Sequence, residues 1–558
     1  MPRKPAIAAT SLTGARNLAP ATTGIARPHS PDTTWEPDQR PLGRAGKAAL
    51  LFAILSGLIT LGYHLFEYPL YATDEGIYME RAWSVISHGQ LNPYTYIYDH
   101  APGGWLLIAA WDFILPHQFL AFGNPVDTGR VLMLLLHAAS VFFLFEIARR
   151  LSGGLRAPII ATFFFNFSPL AIYYERMVLL DNIMVFWVLL SIYLLLRHES
   201  RVFTGMWSGL AFGISVLTKE NAIFFAPTIF YLLIRRLKGD PNRHFTTMFW
   251  LFAASATVSV YFLFATLKNE LLPSSFHFTM SHPPAGHVSL VYEMWYQLHR
   301  NQGSLFSHSS FLHTMWLPKD PFLMVGGTVA MLVCLLWGWR ERKRNPSLLI
   351  VGTLALEIAF YLARGSVILD FYVIPLIPMY ALCIAFAADR ALQRISVPAV
   401  RAAIMALAAA LLLLPTGGYL LTHGQKGQLQ ANDVYYLPLT YLQQEQVSWI
   451  QHNVPQGARI ISDDDIWVAL HDGHPSYPYD VSHYNAVGDP VVRDKEFGGG
   501  KWQDIDYIVM SNDMRQAMMG NNAGGQENWI LNALNNHSAE VWHASRGNIQ
   551  LEIYKVQK

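Results

Sequence analysis

Residues 48–78 read AALLFAILSGLITLGYHLFEYPLYATDEGIY. An apolar run of the roughly 20 residues needed to cross a bilayer is followed at once by two adjacent carboxylates, Asp74 and Glu75. A segment that only anchored a chain would need no acid at that exit. An ionised side chain at a membrane edge is costly unless it is solvated or paired, and often it is functional. The stretch therefore sets a membrane fold and marks where chemistry is to be sought. It runs on to Tyr98-Asp99-His100-Ala101-Pro102-Gly103-Gly104-Trp105.

The whole composition agrees with that reading. The 558 residues are 52% hydrophobic and 13% aromatic, with 14% charged, against about 25% charge in a soluble domain. Mean hydropathy is +0.23. A net charge of +1 gives no basis for a nucleic-acid partner. Cys334 and Cys383 lie in apolar runs without CxxC spacing, so they read as buried packing thiols.

Outward from the opening stretch, residues 1–47 are rich in Ala, Pro, Thr and Arg and read as a disordered cytoplasmic tail. Residues 48–424 carry about eleven apolar segments of spanning character, near 48–68, 129–148, 157–173, 180–197, 203–218, 221–236, 246–267, 321–339, 347–363, 367–388 and 402–421. Every second connection is basic, as at Arg149, Arg150 and Arg156, at Arg235 and Arg236, and at Arg340 to Arg344. The positive-inside rule then puts the N-terminus in the cytoplasm and the C-terminus outside a plasma (inner) membrane crossed many times. Two outer connections are long, 69–128 and 268–320, and loops of that length are usually functional.

From residue 425 the pattern changes. Tyr441 to Asn453 has amphipathic helical spacing, and Ala458 to Ser462 and Ile505 to Met510 read as strands. Trp529 to Asn535 reads as a helix, with closing strands at Val541 to Ala544 and Ile549 to Lys555. This alternation predicts an extracytoplasmic soluble α/β domain over 425–558. Neither glycine-rich stretch there follows a strand into a helix, so no phosphate loop is present.

The polar groups that can carry chemistry share the outer side. Asp74 and Glu75 can act as general base, with Tyr78 and Arg81 on the same helical face as Asp74. Tyr98, Asp99 and His100 offer further polar contacts in the same cavity. Arg176 and Asp181 break the basic-inside trend, and either a structural ion pair or a place in the site accounts for them. Lys219 is a lone cation at an outer helix end, suited to a phosphate in the membrane plane. Asp370 begins a late span, with Tyr372 beside it. In the second outer loop, His277 and His282 are the best of several histidines. With Asp99 they are the candidate ligands for a divalent metal ion, although no HxxxH or HExxH spacing is present.

These motifs, in this order, bring a known family into view. Asp74-Glu75 with Tyr78, Tyr98-Asp99-His100-Ala101-Pro102, Arg176 to Asp181, Leu217-Thr218-Lys219 and Phe371-Tyr372-Val373-Ile374-Pro375 resemble the dolichyl-phosphate-mannose protein mannosyltransferase-like family (glycosyltransferase family 39). Within it, the pattern is similar to the bacterial branch that includes the lipid A aminoarabinose transferases. The resemblance covers about residues 48–420. It implies a mainly α, polytopic GT-C fold and a polyprenyl-phosphate sugar donor. It also implies inverting transfer to a lipid, glycan or protein acceptor on the outer face of the membrane. The family's first-loop Asp carries over to Asp74, and its phosphate-binding cation carries over to Lys219 and Arg176. Where the family often has Lys-Pro-Pro, this chain has His100-Ala101-Pro102, so no phosphate role passes to position 100. A transporter of a lipid-linked intermediate, or a membrane sensor with an external ligand-binding domain, are the alternatives. The first expects ionisable residues at mid-membrane and repeat symmetry, whereas the acids here sit at segment ends and no repeat is visible.

Overall fold

The structure is a computed structural model that describes residues 35–197, 201–273, 288–299, 304–365, 367–421, 440–473, 475–519, 527–547 and 549–558. The expected tail at 1–47 falls mostly outside the described residues, as do His277 and His282.

The helical part begins with α1 (Arg44–Gly62), α2 (Thr73–His88), α3 (Gly103–Ile114), α4 (Pro125–Ser152), α5 (Arg156–Phe167) and α6 (Pro169–Tyr174). It continues through α7 (Leu180–Leu196), α8 (Arg201–Thr218), α9 (Ala226–Arg236), α10 (Arg243–Leu267) and α11 (Leu290–His299). It closes with α12 (Leu317–Lys319), α13 (Pro321–Glu341), α14 (Ser347–Ala363), α15 (Leu376–Leu392) and α16 (Pro398–Leu421). Helix ends carry the expected punctuation. Asn124 caps α4 through Val126 N, with Pro125 in the first turn, and Gly153 closes it at φ 72°. Asp320 caps α13 in the same way, ahead of Pro321.

Among the described residues, five helical stretches are long and apolar enough to cross a membrane: Arg44–Gly62, Pro125–Ser152, Arg243–Leu267, Pro321–Glu341 and Asp370–Leu392. Shorter apolar helices stand at Gly103–Ile114, Leu180–Leu196, Val202–Thr218, Ser347–Ala363 and Pro398–Ala410. The expected segments therefore do not map one-to-one onto helices. The segment at 157–173 is cut by Ser168-Pro169, where Ser168 ends α5 and caps α6. The segment at 221–236 starts as a 3₁₀ turn (Glu220–Phe225) ahead of α9.

The basic helix ends gather at one end of the bundle. Arg150 reaches Leu196 O, Arg236 reaches Arg197 O, Arg235 reaches Arg342 O, and Arg156 pairs with Asp389. The starts of α7 and α15 and the end of α8 lie at the other end, with α2. Cys334 and Cys383 are buried and unlinked, as the sequence implies.

The C-terminal part contains α17 (Thr440–Asn453), β1 (Ile460–Ser462), α18 (Asp464–His471), β2 (Asp480–Ser482), α19 (His483–Gly488) and α20 (Pro490–Glu496). It ends with β3 (Tyr507–Met510), α21 (Asn512–Met519), α22 (Asn528–Asn536), β4 (Ser538–Arg546) and β5 (Ile549–Val556). The expected helices and strands appear, and β2 and the helices α18 to α21 are additions. The sheet order is β2-β1-β3-β5-β4, with β1 parallel to β2 and β3, and β5 antiparallel to β3 and β4. Helix α18 packs directly on α2. Gly76 makes this possible, because a Cβ there would run into the backbone of Asp464 and Asp465.

Candidate active site

The site grows from the N-terminus of α2. Glu75 is fully buried, and all its acceptor capacity is directed. Its Oε1 takes Arg130 Nε at 2.9 Å and Val178 N at 2.9 Å. Its Oε2 takes a terminal guanidinium nitrogen of Arg130 at 2.7 Å and Ala72 N at 3.1 Å. Neither partner of this ion pair exposes side-chain surface. Arg130 also donates to the carbonyls of Leu65, Pro69 and Leu70. The pair therefore pins the segment entering α2 against α4. Both oxygens of Glu75, expected at the reacting centre with Asp74, are thus taken by protein donors.

Asp74, one residue earlier, points elsewhere. It is half-buried, with the Tyr78 hydroxyl at 3.4 Å from its Oδ1. Burial raises its pKa to about 6. Lys219 and His100 pull the other way, and Asp370 and Asp181 push it further up. Four groups from four separated parts of the chain thus act electrostatically on Asp74. Lys219 Nζ donates to Asp181 Oδ2 at 2.5 Å and lies 4.5 Å from the Tyr372 ring centroid. Asp370 accepts from the Tyr174 hydroxyl at 3.0 Å.

The second half of the first loop forms an adjoining wall. Arg81 pairs with Asp99 at 2.8 Å and lies over the Trp105 ring. It does not pair with Asp74, although the two share a helix, because Asp99 approaches from the loop. A guanidinium at that distance repels a cation, so Asp99 is poorly suited to hold a metal ion. His100 contacts Glu220 at 3.2 Å, and Glu220 also accepts from Ala101 N at 2.5 Å. The Tyr98 hydroxyl donates to Glu270 at 2.5 Å.

Arg176, expected at a donor phosphate, is completely buried and directed inward. It donates to the carbonyls of Ile172, Tyr63 and Thr60 at 2.7, 3.1 and 3.1 Å, and it stacks on Tyr68. It clamps the end of α1. Among the described residues, the group of acids and histidines close enough to share an ion is Glu540, His543 and Glu552, on β4 and β5. Arg515 pairs with that same Glu552.

Three residues near the site escape the sequence reading. Arg130 had one available signal, a lone Arg inside an apolar span. Lys319 lies 4.0 Å from the Tyr173 ring centroid, and its charge acts on Asp370. Its signal was a Lys beside the capping pair Asp320-Pro321. Tyr484 feels the charge of Asp74 from the C-terminal part, and nothing local announced it.

Residues 108–262 match the family model described as Dolichyl-phosphate-mannose-protein mannosyltransferase. Among solved structures, ArnT from Cupriavidus metallidurans bound to undecaprenyl phosphate superposes with a TM-score of 0.58 at 15% identity. The match covers 92% of this chain and 98% of that one. The chain has the GT-C fold. The archaeal oligosaccharyltransferase AglB from Archaeoglobus fulgidus, in complex with an inhibitory peptide and a dolichol-phosphate, shares that fold with a TM-score of 0.54. Its identity is 11%, with 91% of this chain and 74% of that one covered. The arabinofuranosyltransferase AftD from Mycobacteria gives 0.50 at 16%, over 94% and 41%. No curated protein matches the chain. The resemblance read from Asp74-Glu75 and the motifs after it is borne out, since the family match and the GT-C fold agree with it.

Proposed function

We propose that the chain is a multi-pass membrane glycosyltransferase. It moves a sugar from a polyprenyl-phosphate donor to an acceptor on the outer face of the membrane, with inversion. The observation that supports this best is the Lys219–Asp181 pair over the Tyr372 ring, whose charges act on Asp74 together with those of His100 and Asp370. Asp74 is the general base. It removes the acceptor hydroxyl proton as that oxygen bonds to the sugar's anomeric carbon. The bond from that carbon to the phosphate oxygen breaks on the opposite face, and the lipid phosphate leaves with the electron pair. Lys219 balances the charge of the departing phosphate. Asp181 occupies one of its three donors and Tyr372 lies beneath it, so the ammonium is aimed while two donors stay available. Under this reading Glu75 and Arg176 position the loop and do not touch substrate. The basic helix ends face the cytoplasm, and the C-terminal α/β part stands outside. Lipid, glycan and protein acceptors all supply the hydroxyl this chemistry needs.

The test is sugar transfer by the purified chain from labelled polyprenyl-phosphate sugars. Asp74→Asn is expected to lower kcat by about two to four orders of magnitude, and Lys219→Ala to weaken use of the donor. Normal transfer by both variants, in folded protein, would remove the assignment.

A further inference from the structure

In an open α/β sheet, ligands bind outside the carboxyl ends of the parallel strands, at the point where the strand order reverses. In this chain β1 is that point, flanked by β2 on one side and β3 on the other. The residues leaving those ends are Asp463 after β1, and Ser511 and Asp513 after β3. No separate ligand is needed to fill the crevice, because α2 fills it. The Thr73 hydroxyl lies 3.2 Å from Asp463 Oδ1 and 3.4 Å from Asp513 Oδ2. Ser511 Oγ donates to the other oxygen of Asp463. Gln443 of α17 accepts from Tyr71 N at 2.9 Å, donates to Tyr71 O at 3.0 Å, and reaches Asp465 Oδ2 at 2.8 Å. Gly76 presses on the backbone of Asp464 and Asp465, and Trp83 packs edge-on against Trp467.

We infer that the C-terminal part is a clamp on the base-bearing helix, with Asp463, Thr73 and Gln443 as positioning residues that set where Asp74 points. The inference rests on the reading of Asp74 as base. Thr73 is its immediate neighbour, held by a residue far away in sequence, and Tyr71 is held on both of its backbone groups. A helix end fixed by side chains on both flanks loses its freedom to rotate the carboxylate away. Misplacement of a reacting group by about 1 Å can cost on the order of a hundredfold in rate.

The experiment uses the full chain, with Thr73→Val as the gentler variant, Asp463→Ala as the stronger one, and Thr73→Ser as the rescue. Thr73→Val and Asp463→Ala are expected to lower kcat by roughly ten- to a hundredfold, with donor KM unchanged within about twofold. The acid limb of their kcat–pH profile should move away from its wild-type midpoint, and Thr73→Ser should restore both. Equal kcat and an unmoved midpoint in folded Thr73→Val would overturn the inference. Hydrogen exchange reads the clamp without activity. Amides 73–80 should lose protection in Thr73→Val while those of α4 keep theirs, and unchanged exchange at 73–80 would also overturn it. A wild-type chain that transfers no sugar defeats the proposed function, and the exchange result still decides the clamp.

Discussion

Around Glu75 each carboxylate oxygen has two donors, and the guanidinium opposite spreads its remaining hydrogens over three carbonyls. Around Asp74, one residue away, the Tyr78 hydroxyl stands at 3.4 Å, and four charged or titratable groups act on it electrostatically. Both acids are adjacent in sequence and both lie at the start of α2. A buried polar group whose partners are complete is part of the frame. One held among charges with capacity to spare is placed for a reacting partner. Satisfaction of the side chain separates the two roles where proximity cannot.

The largest effect that would test this contrast is on stability. Glu75→Gln leaves Arg130 buried without its counter-charge, which is expected to cost about 3–5 kcal/mol. The midpoint of thermal unfolding should fall well below that of Asp74→Asn. If Glu75→Gln keeps its unfolding midpoint yet loses transfer, the division of roles between the two acids is reversed.

A smaller effect is in pH. Asp74 must be ionised to accept a proton, and burial raises its pKa to about 6. The value of kcat should therefore rise with pH through a midpoint near 6 and fall about tenfold per unit below it. A midpoint near the ordinary carboxylate value of 3.8 would place Asp74 in water, outside the site described.

The smallest expected change is in a slope. Glu80 of α2 and Asp464 of α18 are neighbouring acids at the clamp, each buried, and burial raises both pKa values, that of Asp464 to about 7. Arg81 faces both, and Asp480 and Asp463 add negative charge. The folded chain holds protons here that the unfolded chain has lost. For Asp464 the stabilisation is full below the ordinary value of 3.8 and declines as pH rises to about 7, and Glu80, also raised, adds a decline in the same direction. Unfolding midpoints measured from about pH 4 to about pH 8 should show a shallower decline in Glu80→Gln than in the unsubstituted chain. An equal slope would detach this pair from the interface.

Much of this was legible in the chain because it is written in local pattern. Apolar runs mark the bundle, and alternation after residue 425 marks the α/β part, to within a residue of the ends of α17 and α22. The first-loop acids and Lys219 stood out because a charge at the end of an apolar segment must be met by water, by a partner or by a ligand. What was not legible was pairing. Arg81 and Asp74 share a helix, yet Arg81 binds Asp99, 18 residues on. Lys219 takes Asp181, 38 residues back, an acid that the sequence reading grouped with Arg176. Arg176 itself turns inward because carbonyls at the end of α1 need donors. Strand β2 escaped notice because three residues, Asp480–Ser482, following Pro478, hold no period to read.

The contact between Thr73 and Asp463 spans 390 positions. During synthesis α2 exists long before the strand that completes its surroundings, and the bundle helices α3 to α16 are made in between. Under the clamp reading, a nascent chain that already has its spans still lacks a correctly held base, and the last hundred or so residues act as a commissioning step. Under the same reading, half-made protein is slowed by the order in which the polypeptide is written.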